Sequence, residues 1–477
     1  MIRNERESRR APADAQAVKS TDPFLEAWAA TLARKAEAPA IVDTRGEVVR
    51  TFADIADSAL EFEQKFALHE PGEVMAIDVG NHADWPAMLL ACLRRKLVAL
   101  PLDESIGASQ REAALEICSA ANASATDGDP PALLKLTSGT TAAPRAIRFR
   151  SAQLLADCEQ ICDTMGITDA DLNFGVIPFS HSYGLSNLIT PLLARGVPLV
   201  MSRDRMPRAV LDDLARTEAT VFPGMPIFFQ AFAQMESVPA LPRLRLCISA
   251  GAPLSLPVAQ QFRARFGRTI HSFYGSSECG GICYDREGRL IEPGFVGPPM
   301  EGVAVRLLDP ESETSRIEVR SRAVADGYLP MPEAEKLSAG RFLPDDLLVA
   351  TGGGYRIAGR VSDVINVAGK KVNPAEVEAA LLEFTGVREA VVFGRGSALR
   401  NEEVAACVVA EARVAEPALL EFCRQRLSGW QVPKRVFFLA EMPVTERGKI
   451  SRRALAERFA DARSEEKEEG EDRISRQ

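Results

Sequence analysis

The 477-residue sequence predicts an α/β protein in which a large multi-sheet N-terminal domain of β-α-β units is followed by a small α+β C-terminal domain. Three observations predict this. Short apolar or β-branched runs alternate with amphipathic stretches, the pattern of stacked β-α-β units with largely parallel sheets. The pattern changes after Gly359-Arg360. The length also exceeds what one core accommodates.

Strands expected at 74–79, 98–102, 133–136, 174–178 and 198–202 each precede a helix, at 83–93, 109–121, 152–165, 185–193 and 209–217. The first set is short and apolar, and the second repeats its apolar residues at helical spacing. Past residue 360, helices at 374–384, 417–428 and 452–459 interleave with strands at 390–394, 404–410 and 435–439. That is a unit of about 100 residues, the size of a small domain. Residues 1–20 and 464–477 are too polar to offset their ordering entropy and read as tails. The domains are therefore 21–360 and 361–463.

With 57 basic against 66 acidic side chains, the net charge of −9 argues against nucleic acid or an anionic membrane surface as the main partner. The nine cysteines are an odd number with no Cys-x-x-Cys pair, which fits neither a disulfide framework nor a zinc site. They read as reduced thiols of a cytoplasmic protein, with Cys158/Cys162 and Cys279/Cys283 as small buried hydrophobes. No apolar run reaches the ~18 residues of a membrane span. The best candidate, 188–201, is broken by Arg195 and two prolines. The charged N-terminus shows no secretory signal.

The most informative segment is Leu133-Leu-Lys-Leu-Thr-Ser-Gly-Thr-Thr-Ala-Ala-Pro-Arg145. An apolar strand runs into a loop with Thr137, Ser138, Gly139, Thr140 and Thr141, then a proline and a cation. Hydroxyls, backbone N–H groups and a guanidinium together make a phosphate cradle; taken alone, the same loop also reads as a polar surface turn. It is not a P-loop, because no Gly-Lys pair here is followed by Ser or Thr.

This segment resembles the phosphate-loop motif Thr-Ser-Gly-Thr-Thr-Gly-x-Pro-Lys of the adenylate-forming superfamily of acyl-CoA synthetases, luciferases and adenylation domains. Ala142 and Arg145 replace its second glycine and its lysine. Further stations follow in the family's order. Pro178-Phe-Ser-His-Ser-Tyr-Gly184 looks like the segment that lines the acyl pocket, with His181 at its centre. Ser249-Ala-Gly-Ala-Pro-Leu254 resembles the turn, here Gly251, Ala252 and Pro253, against which adenine packs. Tyr274-Gly275-Ser276-Ser277-Glu278 resembles Tyr-Gly-x-Thr-Glu, implying an aromatic face for adenine, a hydroxyl at the α-phosphate and a carboxylate for Mg²⁺.

At the domain junction, residues 359–378 resemble the hinge motif. The resemblance implies that Arg360 contacts the nucleotide, that Ser362 is the hinge, and that Ala368, Gly369 and Lys370 form the loop that meets coenzyme A. The ribose is expected to meet an acidic residue earlier in the chain. Phe342-Leu-Pro-Asp-Asp-Leu347 lacks the usual Thr-Gly, so Asp346 is the first choice and Asp345 the register alternative. Pro443-Val-Thr-Glu-Arg-Gly-Lys-Ile-Ser-Arg452 matches Pro-x-Thr-x-x-Gly-Lys-x-x-Arg at every named position and implies Lys449 as the catalytic lysine.

The resemblance thus implies a mobile C-terminal domain, with ATP, Mg²⁺ and coenzyme A as cofactors and a small-molecule carboxylic acid as substrate. His181, Thr137 and Lys449 would be catalytic. Phe179, His181, Tyr183, Phe222, Met225 and Phe228 could line an apolar acyl pocket or pack the core. No carrier-protein segment follows residue 463, so the acceptor is free coenzyme A or a separate acyl-carrier protein. Two rivals stand beside this reading. A hydrolase could use Ser180, His181 or Ser277, but no Gly-x-Ser-x-Gly elbow is present. A catalytically impaired relative could bind a nucleotide or acyl group as a sensor.

Overall fold

The computed structural model describes residues 22–122, 130–137, 145–338, 340–367, 370–397, 401–411, 414–443 and 450–459. Both expected tails, 1–20 and 464–477, lie outside them.

Among the described residues the chain builds four sheets. The largest has six parallel strands at its centre, in the order Ile270–Ser276, Leu246–Ser249, Val221–Gly224, Asn173–Gly175, Leu199–Met201 and Pro39–Val42. Antiparallel strands Gly280–Tyr284 and Val48–Thr51 close its edges. Strands buried on both faces need unbroken apolar runs. Leu199 and Val200, Val221 and Phe222, and Leu246, Cys247 and Ile248 supply them. A five-stranded sheet joins Val74–Ile77, Val98–Pro101 and Leu133–Thr137 in parallel, then turns antiparallel through Arg145–Phe149 and Gly327–Leu329. All nine cysteines are unpaired and buried. No helix among the described residues is long and apolar enough to cross a membrane.

The expected alternation is present in helices Trp85–Arg94, Ala108–Asn122, Ser151–Met165 and Pro207–Thr217. Strands Pro39–Val42, Val48–Thr51, Val221–Gly224, Leu246–Ser249, Ile270–Ser276 and Gly280–Tyr284 and helices Pro23–Lys35, Phe52–Lys65, Pro226–Gln234 and Leu256–Phe266 were not expected, and two further features depart from expectation. The helix expected at 185–193 is a single turn, Ser182–Gly184, continued by two π-helical segments, Leu185–Ile189 and Pro191–Arg195. Pro191 has no N–H to donate back along the helix, and the ladder widens there. Within residues 295–360, for which no elements were expected, seven strands form an antiparallel sheet and Gly327–Leu329 joins the five-stranded one, so the sheets are mixed rather than largely parallel. Strands as short as Leu337–Ser338 and Arg341–Phe342 are too brief for period-two alternation to show.

Beyond Arg360 a separate core forms on a five-stranded sheet containing Lys370–Val372, Ile365–Val367, Asn401–Ala410, Val387–Ser397 and Arg435–Phe438. One face packs on helices Pro374–Leu382 and Glu416–Arg424 through Val377, Leu381, Val392 and Leu419. The other meets helix Arg452–Arg458 through Phe393, Met442 and Leu455. Arg452 ties the two faces to the domain junction. Its guanidinium donates to both Glu378 oxygens at 2.7 and 2.9 Å, to Asp363 at 2.9 Å and to the Val392 carbonyl at 3.0 Å.

On the antiparallel sheet, buried Glu318 sits among three arginines. Arg341 Nε and Arg320 Nε donate to it at 2.7 and 2.9 Å, and Arg306 stands at 3.4 Å. Glu318, Arg306 and Arg320 border a groove of about 370 Å³ that includes none of the expected site residues. Hydrogen bonds from Arg341 and Arg320 hold the Glu318 carboxyl at about 2. A carboxyl depressed on folding contributes stability above its unfolded pKa, roughly 4.3, and loses it as pH falls through the folded value. The melting temperature of the parent protein is therefore expected to drop from about pH 5 toward pH 2, with Glu318→Gln flattening part of that drop. Identical pH profiles for the two proteins would remove Glu318 from this account.

Candidate active site

Open α/β sheets bind ligands beyond the carboxyl ends of their parallel strands. The motif residues collect at such ends. Thr137 ends strand Leu133–Thr137, the 178–184 segment follows Asn173–Gly175, the 249–254 turn leaves Leu246–Ser249, and Tyr274, Gly275 and Ser276 end Ile270–Ser276. Gly251, Ala252 and Pro253 are exposed there.

Asp346 joins three segments that are distant in sequence. It begins strand Asp346–Thr351 and is paired in register with Arg360 on Gly354–Arg360. Its Oδ2 accepts the Tyr274 hydroxyl at 2.8 Å, and its Oδ1 accepts Arg360 Nε at 2.9 Å. Burial, reinforced by the Asp346 charge, pushes the Tyr274 phenol well above its ordinary pKa, so it remains a donor. The neighbouring Asp345 is exposed and bonds Lys336 at 2.6 Å. The two alternatives for the ribose acid thus have different surroundings, and only Asp346 meets Tyr274 and Arg360.

Glu278 is held on both oxygens. Ser276 Oγ donates to Oε2 at 2.6 Å, and the Tyr328 hydroxyl donates to Oε1 at 3.0 Å. Arg145 lies 4.6 Å from the Tyr328 ring centroid and pairs with Glu333. Tyr328 was not among the expected residues. It lies about 50 positions from Glu278 in the chain, in a strand with no motif of its own.

Ser182 Oγ donates to Ser277 Oγ at 3.0 Å and brings the His181 segment against the Tyr274–Glu278 turn. His181 caps the helix turn, its Nδ1 accepting the Tyr183 N–H at 3.2 Å. Gly184 allows this close approach, since a Cβ there would lie 2.0 Å from the Pro178 carbonyl oxygen. Buried Asn81, also unforeseen, holds the preceding loop. Its amide donates to the carbonyls of Gly175, Ile177 and Ser202 at 3.1, 3.2 and 3.1 Å, and its Oδ1 accepts the Phe179 N–H at 2.9 Å. A lone asparagine after a strand carries no signal in sequence.

Among the expected pocket residues, Phe179, Phe222 and Phe228 are core. Phe179 meets Trp85 edge-on, and Phe222 touches Phe174, Phe228, Phe229 and Phe232. Tyr183 is buried, with its hydroxyl on the Ile248 carbonyl. His181 and Met225 stay accessible.

Ser138, Gly139, Thr140, Thr141, Ala368, Gly369 and Lys449 lie outside the described residues, as do the side chains of Thr137 and Ser362. The backbone of Ser362 lies in a short 3-10 turn, Val361–Asp363. Exposed Lys370 places its ammonium 3.7 Å from the Trp430 ring centroid.

The family model described as AMP-binding enzyme matches residues 119–329, and that of the AMP-binding enzyme C-terminal domain matches 376–449. An oxalate–CoA ligase of Arabidopsis thaliana is 26% identical over 458 residues, covering 82% of this chain and 89% of that protein. A long-chain-fatty-acid–CoA ligase of Bacillus subtilis is 30% identical over 346 residues, 68% of this chain; the match spans 61% of that relative's length. ATP-bound MatB from Rhodopseudomonas palustris superposes with a TM-score of 0.80 at 25% identity, covering 91% of this chain and 99% of that one. Both halves match in their proper order, on a shared fold with the motif residues gathered at the strand ends, and the chain belongs to the AMP-binding enzyme family of adenylate-forming proteins.

Proposed function

We propose that this chain is an AMP-forming acid–thiol ligase that joins a carboxylic acid to the α-phosphate of ATP and passes the acyl group to coenzyme A. The supporting observation is the hydrogen-bonded meeting of Tyr274, Asp346 and Arg360 at the carboxyl ends of the strands. It sets an aromatic face for a purine beside a carboxylate for ribose hydroxyls and a guanidinium for phosphate.

In this reading a carboxylate oxygen of the acid bonds to the α-phosphorus while the bond from phosphorus to pyrophosphate breaks. Thr137, Ser138, Gly139, Thr140, Thr141 and Arg145 hold the phosphates. Gly251, Ala252, Pro253 and Gly275 border the adenine, and Ser276 and Ser277 offer hydroxyls near the α-phosphate. Lys449 stabilises the charge that develops between carboxylate and phosphate. Glu278 fits Mg²⁺, because both its oxygens are oriented by hydroxyl donors and keep lone pairs for a hard cation. When bound, Mg²⁺ neutralises phosphate charge. The thiol sulfur then bonds to the acyl carbon, AMP leaves with the electron pair of the broken C–O bond, and the thiol proton passes to solvent. The Ala368, Gly369 and Lys370 loop faces this acceptor after the 361–463 domain turns at Ser362 against 21–360.

We take the acid to be fatty or otherwise apolar. No aspartate stands between Leu172 and Met201 to meet a substrate amine, and the wall behind His181 is aromatic. Nine unpaired thiols support a cytoplasmic location.

The deciding assay measures pyrophosphate release and thioester formation with octanoate, palmitate, benzoate and oxalate, with and without coenzyme A. Pyrophosphate release with an apolar acid and thioester only when coenzyme A is present are expected. No release with any acid would overturn the activation chemistry, and thioester only on a carrier protein would move the acceptor. Lys449→Ala is expected to slow pyrophosphate release by about two orders of magnitude or more and to spare thiolysis of supplied acyl-adenylate. Equal losses in both steps would reassign Lys449.

Ser362→Pro tests the rotation. Proline fixes φ near −65° and removes an N–H, so thioester formation should fall much further than a single turnover of pyrophosphate release. Parent rates for both steps would place the pivot elsewhere.

A further inference from the structure

Two buried charges lie beneath the Glu278 turn, and the proposed chemistry uses neither. Lys135, two residues before Thr137 on strand Leu133–Thr137, is 6% exposed, with its ammonium 4.4 Å from the Phe149 ring centroid. Asp157, on helix Ser151–Met165, is also 6% exposed. Asp157 Oδ2 accepts the Ser186 hydroxyl at 2.5 Å, and Oδ1 accepts the Gly281 N–H at 3.1 Å. Gly280, at φ +69°, closes onto this carboxylate so tightly that a Cβ would lie 1.9 Å from Oδ1.

These contacts join two segments of the proposed site. Gly280 and Gly281 continue directly from Glu278, and Ser186 follows Ser182, whose hydroxyl reaches Ser277. Burial opposes both charges, lowering the Lys135 pKa and raising that of Asp157, and each charge counteracts that effect on the other. A buried carboxylate with a nearby countercharge and two donors is costly to break from one side.

We infer that Asp157 is a positioning residue for acid activation: it locks the Glu278 turn to the Ser182–Ser186 segment, with Lys135 as its countercharge. This rests on the adenylation reading. Residues that orient a metal ligand typically change activity or metal affinity by about 10- to 100-fold when removed. Their loss need not alter binding of the acid.

The test compares Asp157→Ala, Asp157→Asn, Lys135→Met and the double variant Lys135→Met/Asp157→Asn. Asparagine can still accept from Gly281 and donate to Ser186, so it keeps the geometry and removes the charge. Melting temperature, kcat, KM for the acid and half-saturating Mg²⁺ concentration are measured in pyrophosphate release below the melting range. Asp157→Ala should lower kcat about tenfold or more and raise the Mg²⁺ requirement, with KM for the acid changed less. Each charge-removing single variant should lose activity, and the double variant, again neutral overall at the pair, should recover to within about threefold of the parent.

Should Asp157→Ala fail to fold, the asparagine and double variants decide. A lower melting temperature with unchanged kcat and Mg²⁺ requirement would reduce Asp157 to a purely structural role. A double variant no better than the singles would break the link to Lys135. Failure of the parent itself to release pyrophosphate would instead overturn the adenylation reading, a result seen before any variant is made.

Discussion

The carboxylate of Asp346 is the constraint on which the arrangement of the site depends. It lies at the first position of its strand, nearly buried, and gathers a tyrosine and an arginine from other segments. The two bonds differ in kind. Arg360 is 63% exposed on its side chain, and such a pair contributes only about 0–1 kcal/mol. The Tyr274 bond is buried, and losing either partner would leave a polar group unsatisfied at greater cost. Asp346 is thus held firmly through Tyr274, while the exposed Arg360 guanidinium at the junction is held more loosely.

The same division recurs around the site. Asn81 and Gly184 fix the loop beneath His181 through buried bonds and close packing, and Asp157 fixes the turn after Glu278. Each acts on backbone, so the residues that face a ligand inherit their positions from residues that do not.

Across the junction, the C-terminal core is self-contained, with apolar clusters on both faces of its sheet. Arg452 is paired with both Glu378 and Asp363 within that unit. A domain that satisfies its own buried charges can change its orientation without exposing them, which suits the two arrangements proposed for the two half-reactions.

Much of this protein was legible in its sequence. Apolar periodicity located five parallel strands, from Val74–Ile77 to Leu199–Met201, and four of the helices that follow them, because strands buried on both faces must be continuously apolar, whereas Pro39–Val42, Val221–Gly224, Leu246–Ser249 and Ile270–Ser276 were not expected. The phosphate-loop, Tyr274–Glu278 and Pro443–Arg452 segments carried the family resemblance because each is a run of residues adjacent in the chain. The antiparallel sheet of residues 295–360 was not expected: Phe295–Gly297, Leu337–Ser338 and Arg341–Phe342 are too short for periodicity, and longer strands such as Ser315–Ser321 carry charged residues on their open face rather than a continuous apolar run. The choice between Asp345 and Asp346 also waited for the fold: Asp345 precedes the strand that Asp346 begins, and only the pairing of that strand with Gly354–Arg360 shows which carboxylate meets Tyr274 and Arg360. Asn81, Asp157, Lys135 and Tyr328 had no local signature. Lys135 and Asp157 have partners within about 30 residues in Phe149 and Ser186, but Gly281, Glu278 and the partners of Asn81 lie 50 to 124 residues away, and only tertiary packing, which buries polar groups that must then be paired, brings them together.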